Sequence, residues 1–368
     1  MVKLRPMNQL TYFQPRALLA ARLAMLDLSM GRPTALADGR LLPLRPADGL
    51  GVNIHSTWIV PGELEMIKAA GFKWIRMDLT WSATEKQKGK YDFTAYDGLL
   101  AALDKEKLHA LLVLDYGNPL YADPGDTQPF TSRAGTEEFR EAFAKWAAAA
   151  VGHFAGRGCI WEIWNEPNYK TFWAPAPNVA EYVALAAAAD AAIHQAAPGE
   201  PIIGPGSSTI AFDFIEACCQ AGLLGDWAAV SVHPYRQSDP ATAADEFRRL
   251  RALIAKYAPS SKTVPIISSE WGYSTSWKGF DEGKQAAYLR REFQTNIASG
   301  IPLSIWYDWR DDGDSPADPE HRFGLVRRQY FPGRDPVYDA KPAFQAMKDF
   351  AAHLAAGHPP SSGASESR

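Results

Sequence analysis

At 368 residues the chain has room for two average domains, or for one α/β barrel with insertions. Hydrophobic residues make up 46% and charged residues 22%, the balance of an ordinary globular protein rather than a disordered one. A formal charge of −4 supplies no basic field, so nucleic acid is not an expected partner.

Three cysteines, two of them adjacent at Cys218 and Cys219, do not make a disulfide framework. No His-x-His or His-Glu-x-x-His spacing occurs, and neither a metal nor a cofactor is expected. No stretch is long and apolar enough for an integral membrane span. Residues 1–47 read as a lead-in. Lys3, Arg5 and Arg16 precede a partly apolar run and a small-x-small triplet, Ala35-Leu36-Ala37. That resembles a signal segment, but Arg22 and Asp27 interrupt the run, so export and an extra amino-terminal helix both remain open.

From about residue 48, short apolar runs alternate with longer segments of helical period, the pattern of consecutive βα units. The first expected strand covers 49–55 and its helix 61–70, ended by Gly71. The second pair is 73–78 and 96–107; the third is 110–115 and 136–154, the helix opening on Thr136 as its cap. The fourth strand, 159–166, runs Cys-Ile-Trp-Glu-Ile-Trp-Asn-Glu and should stop at Pro167, which has no N–H to donate. An alanine-rich helix, 178–197, follows it. The remaining pairs are 201–206 with 212–221, 229–235 with 243–257, 264–270 with 282–298, and 303–308 with 342–354. Residues 357–368 are Pro/Ser-rich and expected to be disordered. Eight such units close most simply into a single-domain (β/α)8 TIM barrel over 48–356. An open doubly wound sheet is disfavoured because no Gly-x-Gly-x-x-Gly follows the first strand.

In a barrel the carboxyl ends of all strands share one rim. They carry His55, Arg76 with Asp78, Asp115 with Tyr116, Asn165 with Glu166, His233 with Tyr235, Glu270 with Trp271, and Trp306 with Asp308. Two glutamates, Glu166 and Glu270, therefore face one cavity. A retaining glycosidase needs such a pair: one carboxylate attacks the anomeric carbon while the other, protonated, assists the leaving oxygen. Arg76 is placed to keep Glu270 ionised, or else to pair with Asp78. His233 and His55 read equally as core histidines and as sugar contacts. Glu162 alternates onto a different face from Asn165 and is expected to be structural. Of the twelve tryptophans most should be core; Trp81, Trp173, Trp277 and Trp309 follow strands and could instead be sugar-stacking platforms. The run Asp311-Asp-Gly-Asp314 lacks the spacing of a calcium loop.

Asn165-Glu166-Pro167 with a strand-seven Glu270 resembles the clan A glycoside hydrolases. Trp-Ile-Arg-Met-Asp78, His233-Pro-Tyr235 and the run from Trp306 to Gly313 are most similar to family 39, towards its bacterial exopolysaccharide-cleaving branch, with family 5 as the runner-up. The resemblance implies Glu166 as general acid/base and Glu270 as nucleophile. It also implies Tyr235 bonding to Glu270 and Asn165 contacting the sugar 2-hydroxyl. Tyr116, His233, His55, Trp306, Trp173 and Trp277 complete the expected substrate contacts. The expected activity is retaining β-glycoside hydrolysis, endo-acting on a polysaccharide. The alternatives are an exo-acting enzyme such as a β-xylosidase, or a non-catalytic carbohydrate-binding barrel. The partner expected is an oligo- or polysaccharide; the sequence says nothing of oligomeric state.

Overall fold

A computed structural model describes residues 39, 41, 43–122, 136–313, 315–329 and 337–358. The expectations placed on residues 1–38 and 359–368, and on Asp314, fall outside the described residues. Eight parallel strands form a closed barrel: β1 (Leu50–Asn53), β2 (Trp74–Thr80), β3 (His109–Asp115), β4 (Ile160–Ile163), β5 (Ile202–Ser208), β6 (Ala229–His233), β7 (Ile266–Trp271) and β8 (Ser304–Trp306). Each pairs with its neighbours in sequence, and β8 closes on β1. Eight helices alternate with them: α1 (Glu63–Ala69), α2 (Thr94–Glu106), α3 (Glu137–His153), α4 (Val179–Ala196), α5 (Phe212–Gln220), α6 (Ala243–Tyr257), α7 (Glu282–Ala298) and α8 (Pro342–Ala355). Caps fall where the sequence places them. Thr136 Oγ1 accepts the Phe139 N–H at 3.3 Å, and Asn178 Oδ1 accepts those of Ala180 and Glu181. Two small antiparallel ribbons, Glu85–Gln87 with Lys90–Tyr91 and Val326–Gln329 with Val337–Ala340, were not legible in the βα pattern.

Side-chain alternation along the strands builds the interior in layers. Trp74, Leu111, Val113, Ile160, Ile203, Ala229, Ile267 and Ile305 form an apolar cluster fed by seven of the eight strands. A second, larger cluster holds the opposite faces of the strands against the helices. On β1 the inner cluster leaves room only for glycine. A Cβ on Gly51 would stand 2.2 Å from Ile305 Cδ1 and 2.9 Å from Trp74 Cβ. Two residues further along the inward face, Trp74 gives way to Arg76, Ile160 to Glu162, Ala229 to Ser231 and Ile267 to Ser269. All four polar residues are buried. A polar layer thus rests on the apolar one, on the side of the strands' carboxyl ends.

Candidate active site

Arg76 is the centre of that polar layer and is 2% exposed. Its Nε donates to Glu162 Oε2 at 3.0 Å, and Nη1 donates to Glu270 Oε2 at 2.7 Å and to Asn53 Oδ1 at 3.1 Å. Nη2 donates to Asn165 Oδ1 at 2.8 Å. One planar fork therefore fixes residues from β1, β4 and β7 together, a task a lysine could not perform. The expected pairing with Glu270 is present. Glu162 departs from expectation: it faces the same interior as Arg76, and its second oxygen accepts the Ser269 hydroxyl at 2.7 Å.

Strand β4 ends at Ile163 rather than at Glu166. Trp164 and Glu166 both have left-handed backbone, φ 66° and 46°. Such conformations are costly outside glycine and concentrate at functional sites. Here they break the alternation that would send Asn165 and Glu166 to opposite faces. Asn165 bonds Arg76 and donates to the Tyr116 hydroxyl at 2.8 Å, while Glu166 Oε1 lies 3.0 Å from His233 Nδ1. The turn is anchored by the Glu166 N–H to the Gly206 carbonyl at 2.9 Å, and by the Trp164 indole N–H to Phe172 O.

The nearest carboxylate oxygens of Glu166 and Glu270 are within 4.8 Å of each other, with His233 alongside both. Carboxylates this near each other suit the closer of the two glycosidase arrangements, about 5–5.5 Å between carboxyl groups in retaining enzymes against about 6.5–9.5 Å in inverting ones. Burial alone would raise Glu270, but His233, Arg76 and the Tyr235 hydroxyl, 2.8 Å from Oε1, outweigh it and hold the carboxyl below its ordinary range. Burial likewise pulls His233 down, yet Glu270 and the bond to Glu166 leave it raised. Tyr235 is pushed well up, first by burial and then by Glu270, and so stays a donor. Asp115 is held far above the carboxylate range by burial and by Asp78 beside it.

His55 follows β1, three strands round the barrel from β4. Its Nε2 is 3.3 Å from Asp308 and 3.4 Å from Asp312. Burial lowers this imidazole, but Asp308, Asp312 and Asp78 more than reverse it and raise it to about 9. These three residues, and likewise Glu166 with His233 and Glu270, have the donor types of a cation site. Glu166 and Glu270 already have His233 and Arg76 beside them, whereas His55 is the basic group that faces both Asp308 and Asp312, with Asp308 pushed well up by burial.

Several expected tryptophan contacts are corrected. Trp173 is 1% exposed, packed on Trp164 and Tyr182, with its N–H on Glu181. Trp306 is 0% exposed and offers no face to a ligand. Trp81 and Trp309 are equally buried, their indole N–H groups held by Glu85 and Glu63. An indole that is buried with a satisfied N–H is core. Trp277 is half-buried and edge-on to Tyr273, Phe280 and Phe323. Tyr116 is half-buried and stacked on Phe172. The large exposed aromatics among the described residues are instead Trp58, 56% exposed, and Tyr169, 48%. Neither stands out in the sequence, because each lies in a loop without periodicity. Asn53, Glu162 and Ser269 were missed for a different reason: an inward polar residue on a strand looks the same in sequence as one facing water.

Residues 60–348 match the family model of glycosyl hydrolases family 39. A β-xylosidase from Geobacillus stearothermophilus is 27% identical over 239 residues, covering 56% of this chain and 47% of that protein. The chain thus matches about half the length of this curated relative. A family 39 glycoside hydrolase from Bacteroides cellulosilyticus WH2 superposes with a TM-score of 0.71 at 26% identity, over 86% of this chain and 66% of that one. A monomeric β-xylosidase from Caulobacter crescentus CB15 shares the fold, with a TM-score of 0.64 at 22% identity over 86% and 69% of the two chains. By the extent of the family match, this chain belongs to glycosyl hydrolases family 39.

Proposed function

We propose that the protein is a retaining β-glycoside hydrolase acting by double displacement. Glu270 attacks the anomeric carbon, and Glu166 protonates the departing oxygen. Glu166 then takes a proton from the water that releases the glycosyl enzyme. Arg76 and Tyr235 keep Glu270 ionised and aimed, and His233 orients Glu166. Asn165, held between Arg76 and Tyr116, presents its amide towards the sugar 2-hydroxyl. The observation that carries this reading is the approach of the Glu166 and Glu270 carboxylates to within 4.8 Å. Release of units from a chain end is favoured over internal cleavage of an exopolysaccharide, because the relatives described above include two named as β-xylosidases.

The test is chemical rescue. Glu270→Gly should lose at least about 10³-fold in kcat and regain activity with azide, yielding a glycosyl azide of inverted anomeric configuration. Glu166→Ala should keep most of its glycosylation rate on aryl glycosides with good leaving groups. Loss without azide rescue in Glu270→Gly would remove the nucleophile assignment and the retaining mechanism with it.

A further inference from the structure

Two aspartates in the barrel mouth, Asp78 and Asp115, have no part in the mechanism so far. Strands β2 and β3 pair in unbroken register, with Asp78 opposite Val113 and Thr80 opposite Asp115. Paired residues of a parallel sheet point to one face, and Leu111 and Val113 belong to the inner apolar cluster. Asp78 and Asp115 therefore face the interior, beyond Arg76 towards the carboxyl ends of the strands. The interior below them is filled by that cluster and by Arg76, so the part of Asp78 that stays exposed is reached from the mouth. Asp115 is fully buried. The charges that bear on Asp78 are those of the catalytic cluster: Arg76, His55, Glu270 and Glu162. Tyr116, next to Asp115 in the chain, feels both aspartates and accepts the Asn165 amide. The pair thus stands on the same wall as the amide proposed to meet the sugar.

Arg76 does not hold Asp78, because its N–H groups go to Glu162, Glu270, Asn53 and Asn165. Neither oxygen of Asp115 meets an N–H or a hydroxyl among the described residues, and the group beside it is the Asp78 carboxyl. Two carboxyls in such contact cannot both be ionised. Burial pushes both up, Asp115 the more, so Asp115 keeps the proton and donates it to Asp78. Asp78 is then a carboxylate fixed from behind, with its remaining acceptor capacity turned to the mouth. What arrives there is the pyranose held on Glu270, whose ring carries neutral hydroxyls. A hydroxyl donating to an ionised carboxylate makes a bond about twice as strong as one between neutral groups.

We propose that Asp78, backed by Asp115, is a specificity-determining residue that accepts a hydrogen bond from a hydroxyl of the glycone held on Glu270. The proposal deepens the retaining reading and rests on the roles given to Glu166 and Glu270. A site built around such a bond rejects an analogue that lacks the hydroxyl. The test pairs 4-nitrophenyl β-xylosides, β-glucosides and β-mannosides with their 3-deoxy and 4-deoxy analogues. On the sugar that the enzyme hydrolyses, one deoxy analogue should fall at least about 10²-fold in kcat/KM. Asp78→Leu should bring that ratio close to one, by slowing the parent glycoside and sparing the analogue. Asp115→Leu should lower the ratio about tenfold, and Asp115→Asn, whose amide N–H donates in place of the acid, should restore most of it. Thermal unfolding checks that each variant is folded. If Asp78→Leu is not, Asp78→Asn, which still accepts from Asp115, should lower the ratio in its place. A wild type indifferent to both hydroxyls, or a ratio that the Asp78 variant leaves unmoved, would overturn the proposal while the retaining mechanism stands. If no glycoside is hydrolysed at all, the catalytic assignment fails instead. Calorimetry of piperidine iminosugars of the three configurations, against their deoxy counterparts, then still reads Asp78. A loss of affinity on deoxygenation that Asp78→Leu abolishes supports its role, and equal or absent binding overturns it.

Discussion

Glu162→Gln removes one negative charge from behind Arg76 and leaves the shape of the side chain intact. The wild-type carboxylate is fully buried and uses both oxygens, one on Arg76 Nε at 3.0 Å and one on the Ser269 hydroxyl at 2.7 Å. A glutamine can turn its carbonyl to Arg76 and its NH2 to Ser269, whose hydroxyl rotates to accept. The guanidinium keeps its bonds to Glu270, Asn53 and Asn165. Stranding a buried charge altogether costs about 3–5 kcal/mol. With Glu270 still paired to Arg76, the loss should be about 2–3 kcal/mol, the difference one charge-assisted bond makes. For a chain of this size that lowers Tm by about 3–4 °C. The kinetic effect has a fixed sign. With the Glu162 charge gone, Arg76 acts more strongly on Glu270, so the ionised nucleophile is favoured still more and the acid limb of kcat/KM moves to lower pH. A carboxylate held harder by its arginine attacks less readily, and kcat/KM at the optimum should fall about 10–100-fold. Thermal unfolding and a pH–rate profile on an aryl β-glycoside read both effects. A variant that loses stability but keeps the wild-type acid limb and rate would show that Glu162 only holds the barrel together.

The imidazole of His55, raised to about 9 against an ordinary 6.5, makes stability depend on pH. A raised folded-state value means the contribution is complete below about pH 6.5 and is lost as pH climbs through about 9. With the side chain one-third exposed, solvent screening reduces it to about 1 kcal/mol. Denaturant unfolding of the wild type and His55→Gln should therefore converge across that window, and a constant gap would contradict the ion pairing. Trp173→Ala should behave as a core deletion, costing about 3–5 kcal/mol with KM on small glycosides unchanged. A raised KM at wild-type Tm would restore the platform role.

What the sequence discloses and what it hides follow from one geometric fact. Strand order, barrel closure and the ordinal positions of Glu166 and Glu270 are legible because periodicity and a Pro stop are local signals. Which face a residue takes is legible only while alternation holds. At β4 it holds through Ile163 and then fails, as Trp164 and Glu166 adopt φ 66° and 46°. A reading that continues the strand to Glu166 sends Asn165 and its neighbour to opposite faces, whereas the backbone turn brings both into one cavity. Glu162 lies before the break, where alternation holds and puts it on the inward face two residues after Ile160, bonded to the arginine that also holds Glu270 and Asn165. The tryptophans fail for a reason of environment rather than geometry. Trp81, Trp173 and Trp309 follow strands, as platforms do, but each is buried and finds a carboxylate for its N–H, at Glu85, Glu181 and Glu63. Partners of that kind lie 4, 8 and 246 residues away, and only the folded chain brings the last of them near. Trp58 keeps 56% of its surface exposed, so among the described residues its environment rather than its position along the chain sets it apart from the core tryptophans.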